Sequence, residues 1–283
     1  MRFVSSLALA GILSFGFIPS ALAADLPVKA PPAPAIVAPT WTGFYVGANV
    51  GGGWGSRDVD FSPNDPATVT FFNPAAFDGA PPPGSFRSSG VLGGLQLGYN
   101  WQFNRTWLIG VETDFNWSGI KGSEAIAGAR FGALPITATV DERIKWFGTA
   151  RARLGYLPAE NLLAYVTGGF AYGRVEHSGS YFNNSVGASV IAPGFNFSCN
   201  TGTTCFAGSS SDTATGWVLG GGLEYAIWKN LTLKAEYLYV SLGSQPVTET
   251  ALNFNPRSAP ASFSANFSRT NFNVARVGLN YRF

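Results

Sequence analysis

Charge is scarce in this 283-residue chain: Asp, Glu, Lys and Arg together make up 12% of it, about half the share usual in soluble domains. One histidine and two cysteines exclude a recognisable zinc or iron ligand set, which gathers three or four such side chains. A net charge of +2 with scattered basic residues leaves no footprint for nucleic acid. Beyond the N-terminus, no apolar run reaches the roughly 20 residues that a membrane helix needs. The glycine clusters at 51–53 and 220–222 lack the strand, turn and helix of a phosphate-binding loop. No metal or cofactor is expected.

Glycine and aromatic residues are plentiful instead: 35 residues are Gly and 14% are Phe, Trp or Tyr. The aromatics alternate with polar groups. In the last eleven residues Val277, Leu279, Tyr281 and Phe283 share one parity, while Arg276, Gly278, Asn280 and Arg282 share the other. Period 2 denotes a strand. A strand with one greasy and one polar face suits a sheet with lipid outside and a polar interior, which is a transmembrane β-barrel. In a soluble sandwich, the alternative, so much charge would leave one sheet face strongly polar while the other still needed covering.

The N-terminus fits that compartment. Arg2 precedes an apolar run from Leu7 to Ile18, followed by Pro19 and the small-residue site Ala21-Leu22-Ala23. This reads as a secretory signal over 1–23, cleaved before Ala24. Residues 24–40 are Pro-rich and read as an extended periplasmic tether. The barrel then occupies 41–283.

Strand-like runs cover 44–54, 90–103, 107–118, 143–157, 162–175, 216–228, 231–240 and 270–283. Eight is an even number, as single-chain bacterial barrels require, and each run is near or above the ~9–11 residues needed to cross the hydrocarbon. Short turns (104–106, 158–161, 229–230) alternate with long Gly/Ser/Asn/Pro-rich connections (55–89, 119–142, 176–215, 241–269). Barrels of this type carry short turns on the periplasmic side and long loops outside, so both termini are expected in the periplasm. A ten-stranded variant, with 68–72 or 262–267 pairing in the loops, stays open.

Parity assigns the faces. The third run sends Trp107, Ile109, Val111, Phe115 and Trp117 to lipid, and Glu112, Asp114, Asn116 and Ser118 inward. In the fourth, Trp146, Leu154 and Tyr156 oppose Lys145, Arg151 and Arg153; in the seventh, Leu233 and Tyr237 oppose Lys234 and Glu236. The fifth run is apolar or glycine on both parities and remains unassigned. Glu112, Asp114, Lys145, Arg151, Arg153, Glu224, Lys234, Glu236 and Arg276 should thus form a lumenal charge network. An eight-stranded barrel is just wide enough for side chains to fill, so the network reads as a plug, with an ion-selective constriction as the alternative.

His177, at the top of the fifth run beside Ser178 and Ser180, would be the centre of any lipid-modifying activity. A solvated rim histidine is the plainer reading, and the chain is not expected to be an enzyme. Cys199 and Cys205, separated by five residues in the third long loop, form a disulfide in an oxidising compartment; free thiols are the alternative.

Four stretches resemble a known family: Ala24-Asp25-Leu26-Pro27, Trp41-Thr42-Gly43-Phe44-Tyr45-Val46-Gly47 with Gly52-Gly53-Trp54-Gly55, the run Tyr165-Val166-Thr167-Gly168-Gly169-Phe170-Ala171-Tyr172-Gly173, and Val277-Gly278-Leu279-Asn280-Tyr281-Arg282-Phe283. They are similar to the 25 and 31 kDa outer-membrane immunogenic proteins of alphaproteobacteria, small porin-like surface antigens. The resemblance covers the mature chain. It implies residence in a Gram-negative outer membrane among lipids that include lipopolysaccharide, and insertion by the barrel assembly machinery through Tyr281 and Phe283. It also implies roles in envelope integrity and surface interaction, with a narrow channel for small solutes as the alternative. The family carries no catalytic residues to transfer. The long first loop with Phe71-Phe72-Asn73-Pro74 and the loop cysteines depart from it, and the surface ligand is left unnamed.

Overall fold

A computed structural model describes residues 40–73, 80–131, 134–184, 198–244, 246–253 and 260–283. The expected signal and all but the last residue of the tether lie outside them. Among the described residues are ten strands, β1 (Gly43–Pro63), β2 (Gly84–Gln102), β3 (Trp107–Phe131), β4 (Leu134–Ala159), β5 (Leu162–Asn183), β6 (Thr204–Ala226), β7 (Leu231–Leu242), β8 (Val247–Ala251), β9 (Ser262–Phe267) and β10 (Thr270–Arg282), and one helix, α1 (Pro66–Phe72).

Every neighbouring pair is antiparallel, and the sheet closes on itself through β1 and β10, from Tyr45 opposite Arg282 to Trp54 opposite Asn273. At the end carrying the short turns the ring is β1–β2–β3–β4–β5–β6–β7–β10. Farther up, β7 stops at Leu242 and β10 begins at Thr270. There β8 and β9 take their places: β9 pairs with β1 and β8 with β6. The wall is therefore eight strands round at both levels. Ser262–Phe267 is a strand, as the ten-strand variant proposed, whereas 68–72 belongs to α1. Asp65 caps that helix by accepting from the Thr68 backbone at 3.0 Å, and Pro66 begins it; an Asx cap followed by Pro is a helix start.

Two belts of outward aromatics mark where the wall meets the membrane. Phe44, Trp101, Trp107, Tyr156, Tyr225 and Tyr281 surround the turn end; Trp54, Trp117 and Trp217 lie exposed farther up, with Trp146 stacked on Phe115 beside them. From Trp107 to Trp117 there are eleven residues. These make ~35 Å of strand and ~25 Å of height at the usual tilt, which matches the apolar band of an outer-membrane barrel.

The connections expected as irregular loops are largely strand. β3 runs to Phe131 and β4 restarts at Leu134, so most of 119–142 is a hairpin that continues the wall above the belt. The alternation continues there with its chemistry reversed. Inward positions become apolar (Val59, Phe86, Val140, Tyr181, Phe263) and outward ones polar (Asp58, Arg87, Asp141, Arg143). Phe71 and Phe72 of α1 insert between the walls, with ring centroids 6.0 Å from Tyr181 and 5.3 Å from Phe263 respectively. The Cys199–Cys205 disulfide is formed and buried in the same cluster.

Candidate functional site

The interior of the lower barrel is built by inward parity on all eight strands of the ring. Arg151 of β4 donates to Glu236 at 3.0 Å and to Asp114 at 2.9 Å, and also contacts Glu112. Arg153, two residues on, reaches Glu224 at 3.0 Å. Lys234 of β7 sits on Glu112 at 2.8 and 3.0 Å. Arg276 of β10 clamps Glu236 at 2.7 Å and Asp114 at 2.8 Å. Four acids thus face four bases, and their side chains are at most 2% exposed.

Neutral groups take up part of what the ions leave, while Arg151 Nε and Arg153 Nε keep no hydrogen-bond partner among the described residues. Tyr45 donates to Glu112 at 2.7 Å and accepts from Arg153 at 2.8 Å; Tyr165 donates to Glu236 at 2.9 Å and lies 4.0 Å beneath the Arg153 guanidinium. Gln96, Asn49 and Asn280 extend the network to Glu224 through bonds of 2.6–2.9 Å. Gly98 makes the Tyr45 position accessible, since a Cβ there would strike the ring; Gly222 does the same for Tyr165. Charges this far from water persist only when paired and hydrogen-bonded.

Lys145, expected among them, is not there. A register shift between Ile144 and Trp146 opposite Val175 and Arg174 reverses the parity of β4 at the upper belt. A bulge turns the extra residue out of the alternation, and Lys145 points outward, 43% exposed and 3.2 Å from Glu176. The candidate assembly residues Tyr281 and Phe283 face outward at the turn end, with ring centroids 5.4 Å apart.

The ionic layer is one of several. Toward the turns, Trp41, Leu108, Leu157 and Leu163 form an apolar layer, where Trp41 donates to the Glu160 carbonyl at 3.0 Å under the Arg282 guanidinium. On the other side Leu92, Ile144, Phe147, Leu238, Val240 and Phe272 form a second apolar layer. Above it Arg57 pairs with Glu142 and donates to Thr270 at 2.7 Å, and His177 stacks on Phe267 at 4.3 Å. His177 is only 4% exposed, so the reading of a solvated rim histidine fails: β5 continues past it and turns it inward. Sequence reasoning missed this upper polar layer, the Trp41 lid and Tyr165; odd parity for Tyr45, opposite to Phe44 and Val46, was the available signal.

Beyond the upper belt, burial acts on four ionisable groups, lowering Arg57 from its ordinary value among them. It pushes the Glu142 carboxyl up to about 7 against the pull of Arg57, and His177 down to about 4. Glu249 of β8, with both oxygens unpartnered among the described residues, is pushed up to about 8 by burial.

The outer membrane protein beta-barrel domain model matches residues 20–283. The chain belongs to that family. The 31 kDa outer-membrane immunogenic protein of Brucella melitensis is 37% identical over 99% of this chain and 100% of its own length. The 25 kDa outer-membrane immunogenic protein of Brucella abortus is 26% identical over 87% of this chain and 88% of its own. Among solved structures, Ail of Yersinia pestis matches 86% of this chain and 99% of its own at 15% identity and TM-score 0.34. The protein is thus an outer-membrane β-barrel of the Gram-negative surface-antigen group, whose named relatives are immunogenic proteins rather than enzymes.

Proposed function

We propose that this barrel is a closed structural and surface-interaction protein, not an enzyme, oriented with its turns in the periplasm and its extended end outside the cell. The observation that carries the reading is the balanced ionic layer, four acids on four bases, held between two apolar layers across the whole width of the lumen. Ions crossing it would have to separate desolvated pairs. The wall above the belt, with its disulfide and the α1 plug, would then be the presented surface, and Phe283 with Tyr281 the end offered to the barrel assembly machinery.

Planar-bilayer recording of the refolded protein tests this. The closed reading expects no reproducible conductance steps. Steps in the wild type that change on Glu112→Ala or Arg151→Ala would establish the alternative, a narrow channel.

A further inference from the structure

The upper wall has a seam between β6 and β8. β6 is laddered to β7 from Gly216 opposite Leu242 to Ala226 opposite Thr232, but to β8 only through Phe206 opposite Ala251 and Ala207 opposite Thr250. Over 208–215 no ladder joins β6 to that side. Among the described residues one backbone bond crosses the gap, from Gly243 N to the Thr215 carbonyl at 2.9 Å. Pro246, just before β8, has no N–H to offer a ladder, and proline is confined to edges and bulges of sheets. The wall is not sealed here. β6 pairs with β5 without a register shift from Phe206 to Tyr225, so Ser210 and Asp212 share the inward parity of Phe206 and Val218. Asp212 is nevertheless exposed, and Ser210 is half-buried.

One side chain closes the top of the seam. Glu249 of β8 stands beside Gly208, the first unladdered residue, and its carboxyl crosses β6 to lie on Gly179 of β5, where a Cβ would strike it. Gly179 and Gly208 are cross-strand partners, so together they leave a trough for this one side chain. Glu249 is 1% exposed, and neither of its oxygens has a partner among the described residues. Phe263 stands opposite it on β9, Val247 and Ala251 flank it on β8, and α1 buries only Thr68, Phe71 and Phe72. Of the titratable and charged groups facing the same interior, Tyr181 of β5 lies above the trough, while His177 of β5, Asp212 of β6, Glu142 of β4 and Arg57 of β1 lie below it. Burial alone pushes Glu249 up to about 8. A carboxylic acid can be held in such a trough without a partner, whereas a carboxylate cannot. We propose that protonated Glu249 is the latch of a side gate between β6 and β8, shut in acid and released when the carboxyl ionises. Release hydrates the carboxylate and opens Phe206 and Phe263 to water, so the upper barrel offers an apolar surface that acid withdraws. The ionic layer below is untouched and the lumen stays closed.

Hydrogen exchange of the refolded protein in lipid nanodiscs, read as protection after correction for the intrinsic rate at each pH, tests the gate. The shut form holds the Glu249 proton up to about 8 and the open form only to 4.5. Opening should therefore rise by roughly a few hundredfold between about pH 5 and about pH 8 and level off above. Protection of 206–208 and of β8 should fall by that factor, while β3 and β4 between the belts keep theirs. Glu249→Gln, which imitates the acid form, should hold the acid level of protection throughout. If that variant does not fold, Gly179→Ala, whose Cβ would push the carboxyl from the trough, should lower protection of the same amides at about pH 5 by about tenfold. Wild-type protection that ignores pH overturns the proposal, as does Gly179→Ala with protection unchanged. So does a pH dependence that survives Glu249→Gln, which would belong to Glu142 or His177, or a loss that reaches β3 and β4 between the belts, which would be unfolding of the whole barrel.

Discussion

The lower and upper halves of this barrel share six strands, with β7 and β10 below giving way to β8 and β9 above, and they have contrasting insides. Below the upper belt, apolar side chains face out and the interior holds Glu112, Asp114, Arg151, Arg153, Glu224, Lys234, Glu236 and Arg276. Above it the interior is Val59, Phe71, Phe86, Tyr181, Phe206 and Phe263, and the outer face carries Asp58, Arg87, Lys121, Asp141 and Arg143. A strand's outer face follows its solvent: lipid below, water above. The interior is forced in each case to take the remaining parity. Both halves hide ions, the upper the Arg57–Glu142 pair and the lower a layer of eight charges, because eight strands bring partners within reach.

The comparison breaks first if the ionic layer is not cooperative. Arg151→Ala leaves Glu236, Asp114 and Glu112 short of a partner and should destabilise the barrel by about 3–5 kcal/mol. Lys145→Ala, which removes only an exposed pair, should cost less than about 1 kcal/mol. Urea unfolding of the refolded protein in lipid vesicles, followed by tryptophan fluorescence, reads both; equal effects would mean the lumenal pairs contribute no more than surface ones.

Next comes the outer wall. Arg in place of Val111, midway between the belts, should cost about 2–4 kcal/mol because it faces hydrocarbon. The same substitution at Ser178, outward but above the upper belt, should shift stability by no more than about 0.5 kcal/mol. A similar cost at both sites would place the membrane boundary elsewhere.

Removing the disulfide with Cys199→Ser/Cys205→Ser opens the short loop that the bond closes in the unfolded chain, and the entropy released should lower stability by about 2 kcal/mol. Hydrogen exchange should show the loss confined to the upper half, around Phe206 and Phe263, with β3 and β4 between the belts unchanged.

The smallest effect is on pH dependence. Glu249 has a folded-state value near 8 against 4.5 for the free side chain, so the native state holds a proton that the unfolded chain has released between those values. Its contribution is complete below about 4.5 and is lost as pH rises toward 8. Glu249→Gln should flatten that part of the stability curve and be the more stable protein at pH 9. A curve unchanged by the substitution would assign the dependence to other groups.

Much of the lower half was legible because lipid imposes a strict rule on each outward position. Parity on the third and seventh runs assigned Trp107, Val111 and Leu233 outward and Glu112, Lys234 and Glu236 inward, and they stand so in the fold. The fifth run was illegible since Gly168, Gly169 and Ala171 give parity no contrast; its inward residue Tyr165 emerged only from the pairing of β5 with β4 and β6. The upper strands read as loops because Ser, Gly, Asn and Thr facing water look like turn residues, although Tyr181 and Phe206 among them face a core.

By itself the sequence determined that the wall is a closed antiparallel sheet with lipid outside, with eight strands expected and ten left open, because alternation and alternating connection lengths are local properties. It also determined which acids and bases would share the lumen wherever the alternation ran unbroken. Only the tertiary structure decided that Lys145 turns out at a bulge, that His177 turns in, that β8 and β9 replace β7 and β10 in the upper ring, and that Lys121 meets Arg143 across the wall. These depend on register between strands distant in the chain, and register is fixed by how side chains fill a common interior, which no single stretch of sequence contains.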